Sequence, residues 1–209
     1  MTIPSQHAVS SAKKIRLPAP RRDGAISLEK TLCHRRSVRE FGSERLELWQ
    51  VAQLLWAAQG ITDPAGYRTA PSAGALYPIE LYVAAGNVSG LPPGIYSCDI
   101  QDYGLTTVIQ GDRRWELSEA ALSQTSLLQA PAIFVLSAIY ERTTAKYGER
   151  GIRYVHIEIG HAAENLLLQA AALDLGAVVV GAFNDARVKR ILALSDRGMP
   201  LCLIPVGKS

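Results

Sequence analysis

The sequence predicts an α+β fold built around a mixed sheet, and three observations carry that reading. Short strand-like runs interleave with helical stretches of varied length, the pattern of a sheet flanked by helices. Two apolar runs, at residues 132–138 (apolar but for Ser137) and 177–181, have the character of strands buried on both faces. A long helical stretch at 152–175 carries Val155, Ile159, Ala163, Leu166, Leu167 and Ala170 on more than one face. That is expected of a helix held between its own core and a second copy of the chain. At 209 residues and 48% hydrophobic content, the chain can bury one sizeable core.

The elements follow in order. Residues 1–26 read as a loosely ordered N-terminal arm, since 1–22 are polar, interrupted by Pro4, Pro18 and Pro20, and contain no apolar leader segment. The folded domain is expected over 27–209. Ser27 can cap a helix over 28–35, with Leu28 and Leu32 on one face. A second helix is predicted over 46–59 from the spacing of Leu48, Val51, Leu55 and Ala58, with Gly60 as its left-handed stop. Residues 61–78 hold three prolines and two glycines, which forbids one long regular element and predicts a structured loop. Alternation marks 79–85 as a strand, and 95–98 with 105–109 as a hairpin. Residues 113–121 and 185–194 read as helices, 132–138 and 177–181 as buried strands, and 201–206 as the last strand. Gly176 closes the long helix.

Composition removes several function classes. A net charge of +3 is too small for a dedicated nucleic-acid binder. Cys33, Cys98 and Cys202 are odd in number and widely spaced, which suggests free thiols in a reducing compartment. No run approaches the roughly 18 uncharged apolar residues of a membrane span. The expectation is a soluble, cytoplasmic protein.

The chemistry centres on Arg35, Arg36, Ser37 and Arg39, which put three guanidinium groups and a hydroxyl within five residues, just before Phe41-Gly42. Guanidinium forks match phosphate oxygens, and a serine adds a rotatable donor. The cluster is read as a grip on the phosphate and polar edge of flavin mononucleotide (FMN); a solvated basic patch is the competing reading. In the long helix Glu158, His161 and Asn165 share one face. Glu158-x-x-His161 has the spacing of half a di-iron site, but no second such pair occurs, so no metal site is expected.

Four stretches in one order resemble the nitroreductase flavoproteins: 35–41, 71–78, 176–183, and the run from Lys146-Tyr147-Gly148 into Glu158-x-Gly160-His161-x-x-x-Asn165. The last looks like the SagB-type dehydrogenase branch. The resemblance implies an FMN-binding α+β fold, a nitroreductase-like mixed sheet flanked by helices, in an intertwined homodimer. It places Arg35, Arg36 and Ser37 at the FMN phosphate or ribityl chain and Arg39 near the pyrimidine edge, where a fixed cation would stabilise negative charge. Ser72 and Gly74 would let backbone approach the flavin ring. Ala75 and Tyr77 stand where classical nitroreductases commonly carry Asn and Gln, a departure that favours the SagB-like branch; Tyr77 could stack or donate. Val180 and Gly181 would offer amides to the ring at N5 and O4, and Lys208 a further phosphate-binding cation. Lys146 and Tyr147 are the candidate proton-transfer pair, His156 and His161 packing or interface residues.

The function so implied is an FMN-dependent oxidoreductase, a nitroreductase-like or SagB-type dehydrogenase. Hydride would pass through flavin N5 by a ping-pong mechanism. NADH or NADPH is a possible electron donor, and a small molecule or a peptide azoline the substrate. The alternative is a non-catalytic flavin-binding or flavin-processing protein. A nucleic-acid adaptor built on the arginines would need a basic helix that the chain lacks.

Overall fold

The computed structural model describes residues 14–209. In chain order its elements are β1 (Lys14–Arg16), α1 (Leu28–His34), β2 (Leu46–Glu47), α2 (Leu48–Gln59), β3 (Ile79–Ala85), β4 (Val88–Ser89), β5 (Gly94–Asp99), β6 (Gly104–Gln110), α3 (Arg114–Ala120), α4 (Thr125–Gln129), β7 (Ala132–Ile139), α5 (Glu141–Tyr147), α6 (Arg150–Ala172), β8 (Gly176–Ala177), α7 (Asp185–Ile191) and β9 (Gly198–Gly207). Seven strands form one sheet in the order β1-β6-β5-β3-β7-β9-β8, and β2 with β4 makes a separate parallel pair. Every pairing between strands of the large sheet is antiparallel. A parallel bridge from Ser37 to Ala177 makes the sheet mixed at its β8 margin.

β7 is the centre. Its side chains alternate between two cores: Ala132, Phe134 and Leu136 join the cluster that includes α2 and α6 residues, while Ile133 and Val135 join the cluster of α3, α4 and α7 residues. β9 repeats the alternation, with Cys202, Ile204 and Val206 on the first side and Leu203 on the second. A strand covered on both faces reads as continuously apolar, which is why residues 132–138 carry no polar alternation.

Several boundaries differ from expectation for physical reasons. Of the 1–26 arm, residues 1–13 lie outside the described residues. From residue 14 the loose arm is corrected: β1 pairs with β6, Leu17 enters the first core, and the Arg21 amide donates to Gln53 Oε1 at 2.8 Å. The Arg21 guanidinium also lies over the Trp49 ring, 4.6 Å from its centroid. Leu46 and Glu47 leave the predicted second helix because Leu46 pairs with Val88, and Glu47 then opens α2 through a capping box with Gln50. Gly60 has φ −62°, so it ends α2 in extended rather than left-handed geometry. α6 ends at Ala172, and the left-handed residue there is Asp174, at φ +56°, with the Leu175 amide returning to the Ala170 carbonyl. The predicted strand over 177–181 survives as Gly176–Ala177 and a single bridge at Val180.

The apolar residues of α6 that suggested a two-sided helix, Val155, Ala163, Leu166, Leu167 and Ala170, are buried within the chain's own core. The apolar surface lies elsewhere: Leu28 and Leu32 of α1 are 61% and 53% exposed, and Ile152 and Ile157 of α6 are also open to solvent.

Phe134 is a large side chain fully enclosed in the middle of β7. Phe134→Ala should lower unfolding stability by about 3–5 kcal/mol, read from chemical denaturation, because the two-sided packing cannot collapse around the cavity.

Candidate functional site

Two side-chain clusters stand along α6, and the helix connects them. The first sits at the β8 edge. α1 ends at His34, and the chain then runs past the sheet so that Ser37 bridges Ala177 and the Val38 amide donates to the Ala177 carbonyl at 3.0 Å. Gly176 is required here: a Cβ on it would lie 2.6 Å from Val38 Cγ1. On the other side of β8, Gly176 pairs with Gly207 of β9, and the Lys208 carbonyl accepts from the Gly42 amide. The arginine segment and the C-terminal lysine, far apart in sequence, are thereby placed on either side of one short strand. A cavity of about 230 Å³ opens beside them, lined in part by His34, Arg35, Arg36, Val38, Gly176 and Ser209.

The cations of this cluster are differently engaged. Arg35 Nε is 3.5 Å from Glu164 Oε1 of α6. Arg36 turns back and donates to the carbonyls of Cys33 and Arg35 at 3.0 and 2.7 Å, closing the end of α1. Lys208 pairs with Asp174, whose side chain is 91% exposed. Among the described residues Arg39 has no ion pair, and it is exposed. Ion pairs this open to water contribute little, so an incoming phosphate can replace Asp174 or Glu164 at small cost. In that sense the donor set fits an FMN phosphate.

The second cluster is the turn over residues 71–78. Gly74, Ala75 and Tyr77 all have positive φ, at +64°, +54° and +46°. For Ala and Tyr that conformation costs energy and persists only when surroundings enforce it. Here the Ser72 hydroxyl accepts from the Tyr77 amide at 3.0 Å, and the Arg142 guanidinium donates to the Tyr77 carbonyl at 3.3 Å. The Arg68 guanidinium lies over the Tyr77 ring, 4.2 Å from its centroid. One face of the Tyr77 ring is therefore covered by this chain's own cation.

Lys146 and Tyr147 are on the last turn of α5, not in a loop, and they reach this turn. A Cβ on Gly74 would lie 2.7 Å from the Tyr147 hydroxyl and 3.0 Å from Lys146 Nζ. The missing side chain of Gly74 thus admits the candidate proton-transfer pair. Tyr147 is also braced edge-on by Tyr154 of α6, with centroids 5.1 Å apart. Val180 and Gly181 separate: the Val180 amide donates to the Leu203 carbonyl at 2.8 Å and is not available to a ligand, whereas Gly181 is exposed with nothing within 4 Å of its Cβ position.

The residue whose role the sequence understated is Glu158. It is buried, 2% exposed, with Oε1 unpartnered, whereas His161, on the face predicted to be shared, is exposed. Burial pushes its carboxyl up to about 7, against a hydrogen bond from Ser72 and the attraction of Arg68, both of which favour the charged form. Arg68 Nη1 donates to Gln59 Oε1 at 2.9 Å, yet its buried Nε has no partner. Asn165, one face down α6, donates to the Thr69 carbonyl. Glu158 and Glu164 are six residues apart on α6, about 9 Å along its axis, so the helix spans both clusters. A glutamate in the predicted polar stripe was visible in the sequence; that it turned inward was not.

Comparison with known proteins places this arrangement. The Nitroreductase family model matches residues 32–208, and the chain belongs to that family. A Methanocaldococcus jannaschii protein described as a nitroreductase is 44% identical over 183 residues, 88% of this chain and 91% of that one. A Ralstonia eutropha JMP134 structure described as a nitroreductase superposes with TM-score 0.81 at 28% identity, covering 100% of this chain and 96% of the other. The Vibrio harveyi NADPH:FMN oxidoreductase, in complex with NAD+, shares the fold at TM-score 0.63 and 19% identity, over 87% of this chain and 68% of that one.

Because the carboxyl of Glu158 holds its proton more tightly in the folded chain than its ordinary 4.5, it favours folding most below about pH 4.5, and that stabilisation is lost as pH rises through about 7. Glu158→Gln should flatten this part of the curve, gaining roughly 2–3 kcal/mol over the parent at pH 8 relative to pH 5, as read from denaturation at each pH.

Proposed function

We propose that this nitroreductase-family protein is a cytoplasmic, homodimeric FMN-dependent oxidoreductase. The observation that carries the reading is the pinning of Ser37 beside Ala177, which sets the arginine segment and Lys208 about one short strand. Arg35, Ser37 and Lys208 would hold the phosphate, with Arg39 turned to the pyrimidine edge and the Gly181 amide to the ring. FMN, when bound, supplies a two-electron acceptor that takes hydride from one substrate and gives it to another, using one site in turn. The chain's own work is to grip the phosphate and hold a proton near Gly74 on Lys146 or Tyr147. The exposed Leu28 and Leu32 of α1 support a self-association face.

Within this class, the convergence of Lys146 Nζ and the Tyr147 hydroxyl on Gly74 favours a SagB-type dehydrogenase. Such an enzyme would remove a hydride and a proton from a peptide azoline, the proton leaving to this pair.

The purified protein should be yellow and run as a dimer on gel filtration. Bleaching by anaerobic NADH or NADPH, with parallel double-reciprocal kinetics, marks the nitroreductase-like enzyme. Bands that persist until an azoline substrate is added mark the dehydrogenase, and bands that nothing bleaches mark a non-catalytic flavin binder. A chain that stays colourless after incubation with FMN would overturn the proposal.

Arg35→Ala should weaken FMN binding by about ten- to a hundredfold in Kd, followed by fluorescence quenching, since a charge-assisted hydrogen bond is worth about 1.5–3 kcal/mol. Lys146→Ala should leave FMN content unchanged while lowering azoline turnover by about a hundredfold or more.

A further inference from the structure

Resting on the oxidoreductase reading above, we propose that Arg142 is a positioning residue: it seats α5 against the turn and β3, and so sets Lys146 and Tyr147 at Gly74. Its guanidinium joins three elements at once. Nη2 donates to Glu80 Oε1 of β3 at 2.7 Å, and Nη1 donates to the Tyr77 carbonyl of the turn at 3.3 Å. Among the described residues, these are the hydrogen bonds that join α5 to the turn and to β3. The anchor they grip is stiff. Glu80 pairs with Ser137 of β7, and its carbonyl accepts from the Ser137 hydroxyl at 3.3 Å. Its second carboxylate oxygen accepts from the Tyr82 hydroxyl at 3.4 Å.

α5 needs such an anchor because its own burial is slight. Thr143 is its buried residue. The helix runs for about two turns between the end of β7 and Gly148, at φ +56°, after which the chain enters α6. Three contacts hold it to α6. The Tyr140 hydroxyl meets His156 Nε2 at 2.6 Å, a Cβ on Gly151 would lie 2.9 Å from the Thr144 Cα, and the Tyr147 ring stands edge-on to Tyr154. Arg142 holds the helix in the other direction, to the turn and the sheet. Lys146 is four residues further on, about 6 Å along the axis and on the face that Arg142 shares. The helix thus touches the turn twice, at the Tyr77 carbonyl through Arg142 and at Gly74 through the ends of Lys146 and Tyr147. Two contacts fix an angle that one leaves open.

Magnitudes separate orientation from stability. The Arg142 and Glu80 side chains are 41% and 30% exposed, so their ion pair adds little to overall stability. What the guanidinium supplies is direction, since its planar fork serves two acceptors in fixed geometry where a lysine ammonium on a flexible stem does not. A displacement of about 1 Å in a proton-transfer pair is enough to cost about a hundredfold in rate.

The test compares the full-length parent with Arg142→Ala and Arg142→Lys by hydrogen–deuterium exchange in protein without added cofactor. In Arg142→Ala the Tyr77, Thr144 and Gly148 amides should lose protection by about tenfold, while the β7 amides and the denaturation midpoint stay unchanged. Guanidinium chloride far below denaturing concentration should restore the Tyr77 amide in that variant. Arg142→Lys, whose ammonium reaches Glu80 alone, should keep Thr144 and Gly148 protected and lose protection at Tyr77. In the FMN-loaded enzyme acting on a synthetic thiazoline peptide, Arg142→Ala should lower kcat by about ten- to a hundredfold, with KM and FMN content nearly unchanged. Reoxidation of the same dithionite-reduced variant by dioxygen should keep the parent rate. Parent-like exchange at Tyr77 and Thr144 in Arg142→Ala would overturn the positioning role, and so would a loss of protection that extends through β7 in both variants. Because the exchange experiment uses no flavin and no substrate, its failure is distinct from that of the oxidoreductase reading, which the absorbance spectrum decides.

Discussion

Everything in this structure depends on the burial of β7 on both faces. Ala132, Phe134 and Leu136 on one side and Ile133 and Val135 on the other tie two separate cores to a single strand. β3 and β9 must pair with it because an enclosed backbone has no water to bond. Once β9 is fixed against β7, its last residues carry β8, and β8 carries Ser37. The same strand's far end delivers the chain into α5 and so presents Lys146 and Tyr147. Both clusters of the candidate site are consequences of where β7 begins and ends.

α6 adds the second constraint. It packs on the first core through Val155, Ala162, Leu166 and Ala170, and its polar residues are distributed around that fixed orientation. Glu164 reaches Arg35 at the phosphate-type cluster, Asn165 reaches the Thr69 carbonyl, and Glu158 is enclosed within the chain. The helix thereby carries one glutamate that is cheap to displace, because water screens it, and one that is costly to ionise, because water is absent. Residue type alone does not separate the two roles; depth does.

The turn over residues 71–78 shows how a site is made from strain and support. Positive φ at Ala75 and Tyr77 is unfavourable locally and is held by Ser72, Arg142 and Arg68, three side chains from three places in the chain. Gly74 is glycine both for its own left-handed backbone and for the room it leaves to the Tyr147 hydroxyl. The departure from the Asn and Gln of classical nitroreductases acquires a physical meaning here: Ala75 and Tyr77 serve a turn braced from within, with Arg68 over one face of the Tyr77 ring.

The α+β class, the central apolar strand, the long helix and the arginine–serine segment were all legible from spacing and composition, because they depend on neighbours a few residues away. Ser72, Gly74, Lys146 and Tyr147 were singled out by the resemblance of their stretches to nitroreductases, and the fold brings the ends of Lys146 and Tyr147 beside Gly74. What sequence could not decide were facts of long-range pairing. Val180 resembled a free amide donor until Leu203 was seen to accept from it. Residues 14–17 looked like loose arm until β6 offered an edge, and which apolar residues of α6 enter the chain's own core and which, like Ile152 and Ile157, stay exposed was settled only by the packing. Glu158 was legible only as one of three polar residues sharing a face of the long helix, and its burial was not. Local sequence determines which backbone form a segment prefers and which side chains travel together; only the tertiary structure decides which of them lose water, and the loss of water is what turns a glutamate into a group that keeps its proton near neutral pH.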